Sequence, residues 1–169
     1  LLRKSSIEQK EYDQLVFCTR YSSEAVIPNY IKHICPYSFE HCKNLKKIEF
    51  PKDSNLESIG KYAFYDTSIE SITIPAKVFD LQPMWNEGLK KSKIIFSPNN
   101  PNFINYQDKF IIGKSSFEQK DHDKIVLDLK KSKIIKFPTF IKQICPNSFN
   151  SSLIEEITSK LISRFFGLI

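Results

Sequence analysis

Four cysteines, three histidines and several lysine clusters are the residues whose types could do chemistry in this chain. Cys18, Cys35, Cys42 and Cys145 could bind a metal, exchange disulfides or attack an electrophile. No C-x-x-C occurs, so a zinc site or a dithiol redox motif has no spacing support. His33, His41 and His122 could serve as bases, but a base needs a nucleophile or carboxylate at fixed geometry, and no such constellation is indicated. The reading is therefore non-enzymatic, with no catalytic residue, cofactor or metal. Lysines recur as Lys43, Lys46 and Lys47, as Lys90, Lys91 and Lys93, and as Lys130, Lys131, Lys133 and Lys136. Aligned in space they would form a positive stripe for an anionic glycan or acidic protein. The plainer reading is a solvated edge of gatekeeper lysines beside hydrophobic strands. Arg3, Arg20 and Arg164 are few, so nucleic-acid binding is not expected. Asn150-Ser151-Ser152 is a weak glycosylation sequon.

The elements that position these groups come from composition and repetition. The 169 residues are 41% hydrophobic and 26% charged, with a net charge of +6, which describes a globular chain. Only 4 Gly stand against 9 Pro and 14 Phe, so Gly-rich phosphate loops are disfavoured. No apolar run is long enough for a membrane-spanning helix. No secretory signal or anchor is visible, and the first residue is Leu1, so the chain is expected to be a window on a longer array.

Two periods run through the chain. Ile27-Pro28, Phe50-Pro51 and Ile74-Pro75 recur about 23 to 24 residues apart. Each is followed by apolar residues at matching offsets, and Phe137-Pro138 opens a further copy. The unit is I-x-F/I-P, then I/V/L-x-x-I-G/C, then x-x-A/S-F, then L/I-x-x-I. The longer period is about 110 residues: Lys4 to Asp13 aligns without gaps on Lys114 to Asp123, and the match continues from Leu15-Val16 on Ile125-Val126 to Phe39 on Phe149. The I-x-F/I-P segments alternate and are β-branched, so they read as short strands that Pro terminates. Ile48, Phe50, Ile72 and Ile74 should point inward, Glu49 and Thr73 outward. The segment before each repeat Phe should be a turn or 3₁₀ piece. Phe39, Phe64 and Phe149 should stack as an internal ladder. Phe103 to Tyr106 and Phe110 to Gly113 read as a β-hairpin around Gln107-Asp108-Lys109, with Ile125-Val126-Leu127 a third strand. Ala76 to Lys93 is a degenerate copy.

The repeat also places the candidate groups. Cys35 and Cys145 fall where another copy has Gly60, and Cys42 falls where others have Thr67 and Ser152. Those positions call for a small residue, so the thiols are expected to pack as inert small hydrophobes. A Cys35–Cys42 disulfide is the remaining alternative. His33, His41 and His122 match Gln143, Ser151 and Tyr12, which marks them as surface residues.

The pattern I-P-x-x-I-x-x-I-x-x-x-S/A-F-x-x-C-x-x-L-x-x-I-x-F-P resembles the BspA-like leucine-rich-repeat family of bacterial and parasitic-protist surface proteins. The resemblance covers Ala25 to Pro75 and Ile135 to Ile157 best. It implies a mainly β solenoid with short 3₁₀/α turns and an inserted β-hairpin or meander between repeat blocks. The expected organisation is a partial hairpin insert over 1–24, leucine-rich repeats over 25–98 with the third degenerate, a hairpin/meander insert over 99–133, and a repeat with a C-terminal segment over 134–169. It further implies a binding module for protein–protein contact or adhesion. Partners would be host matrix or cell-surface proteins, with an anionic glycan as the alternative, and the chain would be secreted or surface-displayed. An intracellular scaffold, cytoplasmic, is the competing reading. On register, the partner-facing residues are Lys46, Lys47, Glu49, Glu70, Ser71 and Thr73, then Glu155, Glu156 and Thr158.

Overall fold

The structure is a computed structural model that describes residues 1–89, 92–116, 118–129, 134–145, 148–149 and 156–158, with backbone alone for 134, 135 and 156–158. Among these residues every regular element is a β-strand. Two compact units divide the chain, Leu1–Pro101 and Asn102–Ile169.

The first unit holds β1 (Leu2–Arg3), β2 (Gln14–Leu15), β3 (Glu24–Val26), β4 (His33–Ile34), β5 (Lys47–Glu49), β6 (Ser58–Ile59), β7 (Ser71–Ile74), β8 (Asp80–Leu81) and β9 (Lys93–Phe96). They form two sheets, one ordered β3-β5-β7-β9 and one ordered β1-β2-β4-β6-β8. All neighbours are parallel except β1 and β2. Each repeat thus gives one strand to each sheet, and each coil bonds to the next through its backbone. The Pro-terminated I-x-F/I-P run makes the first strand, with Ile48, Ile72 and Ile74 buried and Glu49 and Thr73 exposed as expected. Phe50 is only half-buried.

The segment before each repeat Phe does more than turn. Residues His33–Ile34, Ser58–Ile59 and Asp80–Leu81 are the strands of the second sheet. Turns with i to i+3 bonds follow them, from Ser38 N–H to the Cys35 carbonyl, Glu40 N–H to Tyr37, Cys42 N–H to Phe39 and Leu45 N–H to Cys42. The sequence conceals these strands because two residues are too few to show a period.

Phe39 and Phe64 are fully buried and stack with centroids 5.5 Å apart and planes 26° apart. Offset stacking of this kind adds about 0.5–1.5 kcal/mol beyond the burial of the rings. Phe149 belongs to the second unit's own aromatic cluster, 5.7 Å from Phe137 and 6.4 Å from Phe110. The degenerate copy still makes a full coil, in which Val78, Trp85 and Leu89 are buried in place of the lost Ala-Phe pair.

Gly60 shows that the small-residue rule is local. A Cβ there would lie 2.4 Å from the Pro36 nitrogen and 2.6 Å from the Cys35 carbonyl carbon. One coil earlier the Cys35 amide bonds to Leu15 of β2, and one coil later the Gln82 amide bonds to Ile59. Those coils accept a side chain where Gly60 cannot.

The second unit holds β10 (Phe103–Tyr106), β11 (Phe110–Gly113), β12 (Lys124–Asp128), β13 (Ile134–Lys136), β14 (Gln143–Ile144) and β15 (Glu156–Thr158). The expected hairpin is there, with Tyr106 opposite Phe110 and Phe103 opposite Gly113. Gln107 and Asp108 both have positive φ, 54° and 51°, the signature of a primed hairpin turn. β12 pairs antiparallel with β11 and parallel with β14, and β13 pairs parallel with β15.

The long period is structural. Leu2 faces Leu15 as Ile112 faces Ile125, and Leu15 faces Ile34 as Ile125 faces Ile144. In both blocks a buried aspartate clamps the loop that precedes β2 or β12. The Ser5 amide and hydroxyl donate to Asp13 at 2.7 and 2.6 Å, and the Ser115 amide and hydroxyl to Asp123, each at 2.9 Å. Burial pushes both carboxyls up. The serine bonds, aided by the charge of His33 at Asp13 and of Lys142 at Asp123, outweigh it and hold both below the ordinary 3.8.

Two outcomes follow. Gly60→Ala should lower the free energy of unfolding in urea by about 1–3 kcal/mol, because backbone must shift to admit the methyl. A folded-state carboxyl held below its unfolded value contributes stability that is complete above the unfolded value and lost as pH falls through the folded one. The double variant D13N/D123N should therefore lose stability at neutral pH and show a shallower acid limb between about pH 5 and 3 in urea titrations.

Candidate functional site

The outward face of the β3-β5-β7-β9 sheet gathers most of the residues expected to meet a partner. Parallel register stacks Glu24, Lys47, Ser71 and Lys93 in one column and Val26 beside Glu49 and Thr73 beside Ile95 in the next. All eight are exposed. Lys46 and Glu70 precede their strands, are exposed, and sit on adjacent coils joined by a 3.1 Å bond from the Glu70 amide to the Lys46 carbonyl. Glu156 and Thr158 lie in β15, opposite Ile134 and Lys136, in the second unit. Glu155, the sequon at Asn150, and Lys90, Lys91, Lys130, Lys131 and Lys133 lie outside the described residues.

A groove of about 640 Å³ runs along this face where β5 and β7 meet their Pro-terminated turns. Lys47, Glu49, Lys52, Ser71 and Thr73 supply its polar lining, and Pro51 and Pro75 supply apolar lining. Lys52 and the turn at Ser97 to Asn99 were not singled out from sequence, because they lie beyond the strand and only coil stacking brings them to the groove. The exposed apolar pair Val26 and Ile95 was missed too, although both fall at the outward x of the strand pattern.

The charges of the face compensate one another. Lys47 Nζ is 2.6 Å from Glu49 Oε1. Its hydrogen bond and charge, with Glu24 beyond, hold the lysine above its ordinary value. Lys43 points elsewhere and pairs with Asp66 at 3.3 Å. The lysines of this cluster therefore do not converge on one stripe.

The other sheet carries a polar row on its outer side. Arg3 Nε donates to Gln14 Oε1 at 2.7 Å, and His33 Nδ1 is 2.9 Å from Ser58 Oγ. His33 and His122 are half-buried and His41 is exposed. His41 Nδ1 lies 2.7 Å from Asp66 Oδ2. Among the described residues no group of three His, Cys, Asp or Glu could hold a metal ion, and no helix is long and apolar enough to cross a membrane.

All four cysteines are free thiols; Cys35 and Cys42 are buried, Cys18 and Cys145 half-buried. The Cys35 thiol contacts Gln14 and Arg3, not Cys42. The Cys42 thiol lies 3.8 Å from the Thr19 carbonyl oxygen. Burial, then the neighbouring Cys18 thiol, push Cys42 up to about 11.

Parallel coils, two sheets and a buried Phe stack at a fixed repeat make this unit a β-solenoid. The profile of the BspA type leucine rich repeat region matches residues 10–119, in six copies. The chain belongs to this family. No curated protein matches. Three solved structures share the fold. A leucine rich cell surface protein of Faecalibacterium prausnitzii is 16% identical with a TM-score of 0.59, over 80% of this chain and 41% of that one. The pneumococcal vaccine antigen PcpA is 20% identical with a TM-score of 0.56, over 82% and 36%. A leucine-rich repeat protein of Eubacterium ventriosum is 17% identical with a TM-score of 0.53, over 81% and 47%. The chain thus spans less than half the length of each. Its BspA-type repeats run through the degenerate copy, which the family match includes.

Alkylation should follow this burial. With iodoacetamide on the folded protein, Cys18 should react before Cys35 and Cys42, as read by peptide mass spectrometry over time. Equal rates at all three would contradict the packing.

Proposed function

We propose that this chain is a non-enzymatic binding module, secreted or displayed at a cell surface, that holds a protein partner against its outward strand face. The observation that carries the reading is the groove between β5 and β7, with exposed Lys46, Lys47, Glu49, Glu70, Ser71 and Thr73 on or beside it. Both charge signs, hydroxyls and the exposed Val26 and Ile95 occupy one face, which suits a mixed polar and apolar protein surface. The compensation of Lys47 by Glu49 argues for a protein over an anionic glycan, which needs uncompensated positive charge. Glu155, Glu156 and Thr158 are proposed to play the same part in the second unit. The likeness in fold to a cell surface protein and a vaccine antigen supports display outside the cell.

One observation favours the intracellular scaffold instead: four free cysteines suit a reducing compartment. Antibody labelling of intact, unpermeabilised cells separates the two.

The binding test uses the whole chain on immobilised fibronectin, on laminin and on intact host cells. The triple charge reversal K46E/K47E/E49K should weaken binding about tenfold or more, the loss of roughly 1.4 kcal/mol. Circular dichroism should stay unchanged, since all three side chains are exposed. Unchanged binding, or no binding to any of the three surfaces, contradicts the proposal.

A further inference from the structure

The structure brings together a cysteine pair that the repeat pattern alone does not join. Cys18 lies in the tail of the insert and Cys42 in the turn of the first repeat. The Cys18 amide donates to the Ser38 carbonyl at 2.9 Å, which fixes the tail on that turn. Cys42 Sγ touches the carbonyl of Thr19, the residue bonded to Cys18, at 3.8 Å. The Cys18 and Cys42 side chains meet across these adjacent segments at hydrogen-bonding range. The Cys18 thiol is also the polar side-chain neighbour that, after burial, most raises the Cys42 thiol.

The long repeat supplies a second, independent observation. Asp128 takes the place of Cys18 in the second block, with the same 2.9 Å bond from its amide to the Ser148 carbonyl. Ser152 takes the place of Cys42. Cys35, by contrast, is kept as Cys145. The two cysteines are thus present together in one block and absent together from the other. The coil itself does not demand them, since Thr67 fills the Cys42 position one repeat later and bonds to the Phe64 carbonyl at 2.9 Å.

We propose that Cys18 and Cys42 are a disulfide-forming pair that pins the insert to the first repeat in an oxidising environment. Oxidised glutathione is a sufficient oxidant. The Cys18 thiolate attacks one of its sulfurs, breaks the S–S bond and releases one glutathione thiolate. The Cys42 thiolate then attacks the Cys18 sulfur and releases the second. Two protein thiols become one disulfide, one glutathione disulfide becomes two glutathione thiols, and the two protons pass to the leaving thiolates. The inference is independent of the partner-binding reading. A pair found closed on native material would favour the extracellular compartment.

The whole chain is equilibrated with oxidised glutathione, its remaining thiols are alkylated, and it is digested with trypsin. Residues 11–20 carry Cys18, and residues 33–43 carry both Cys35 and Cys42. The expected product joins these two peptides through Cys18 and Cys42, located by fragmentation, with Cys35 alkylated. The oxidised chain should melt at a higher temperature than the reduced one, and dithiothreitol should reverse the shift. Cys35→Ser should keep the link, and Cys18→Ser should remove both link and shift. Cys18→Ser leaves the buried Cys42 in place, so the test survives if Cys42→Ser fails to fold. Four alkylated cysteines after oxidation, or a bridge inside peptide 33–43, would overturn the proposal.

Discussion

The stacking of each coil on the next by backbone hydrogen bonds is the constraint on which the rest of this structure depends. Parallel neighbours hold a spacing of about 4.7–4.9 Å, so a side chain meets its own counterpart one repeat away. Partnerships between residues 24 or 25 apart record this, as in Asn29 with Asp53, His33 with Ser58 and His41 with Asp66. Phe39 on Phe64 and Tyr37 on Tyr62 stack for the same reason. Any residue type repeated at one position therefore becomes a column. Apolar columns build the core, and polar columns build the outer faces.

The antiparallel strand pairs obey the same constraint. The last strand of each, β2 or β12, stands where a preceding coil would stand and offers its edge to β4 or β14. Where the preceding strand is β2 or β12, the small residue ahead of the repeat Phe is serine. Ser38 donates its hydroxyl to the carbonyls of Leu15 and Cys35, and Ser148 to those of Ile125 and Cys145. Where the coil before is another repeat, the residue is the buried Ala63. The Ser5–Asp13 and Ser115–Asp123 clamps hold the loops that deliver these strands, and each uses a buried carboxylate whose oxygens accept amide and hydroxyl bonds.

The outward strand face is what the coil does not use. Outward positions of the strands escape the core, and their chemistry is free to vary. On the first unit they carry a mixture in which lysine and glutamate sit within 2.6 Å of one another. Exposed pairs of this kind are screened and weak, so they shape the potential of the surface more than they stabilise it. On the binding reading proposed above, a groove that mixes such pairs with hydroxyls and prolines selects by pattern instead of net charge.

The sequence by itself determined the repeat, the inward and outward phase of the long strands, the hairpin and the 110-residue register of Lys4 on Lys114. Each is a regularity along the chain, and hydrophobic periodicity reports it directly. Only the tertiary structure decided what lies across coils. It showed that His33–Ile34 and Ser58–Ile59 are strands, that Phe149 joins Phe110 and Phe137, and that Gly60 needs its missing side chain while Cys35 does not. It also set Cys42 beside the Cys18 tail instead of Cys35. The reason is that the antiparallel pair ahead of β4 shifts the count between neighbouring coils. Two residues then meet by the geometry of stacking, and no fixed interval in the chain announces the contact.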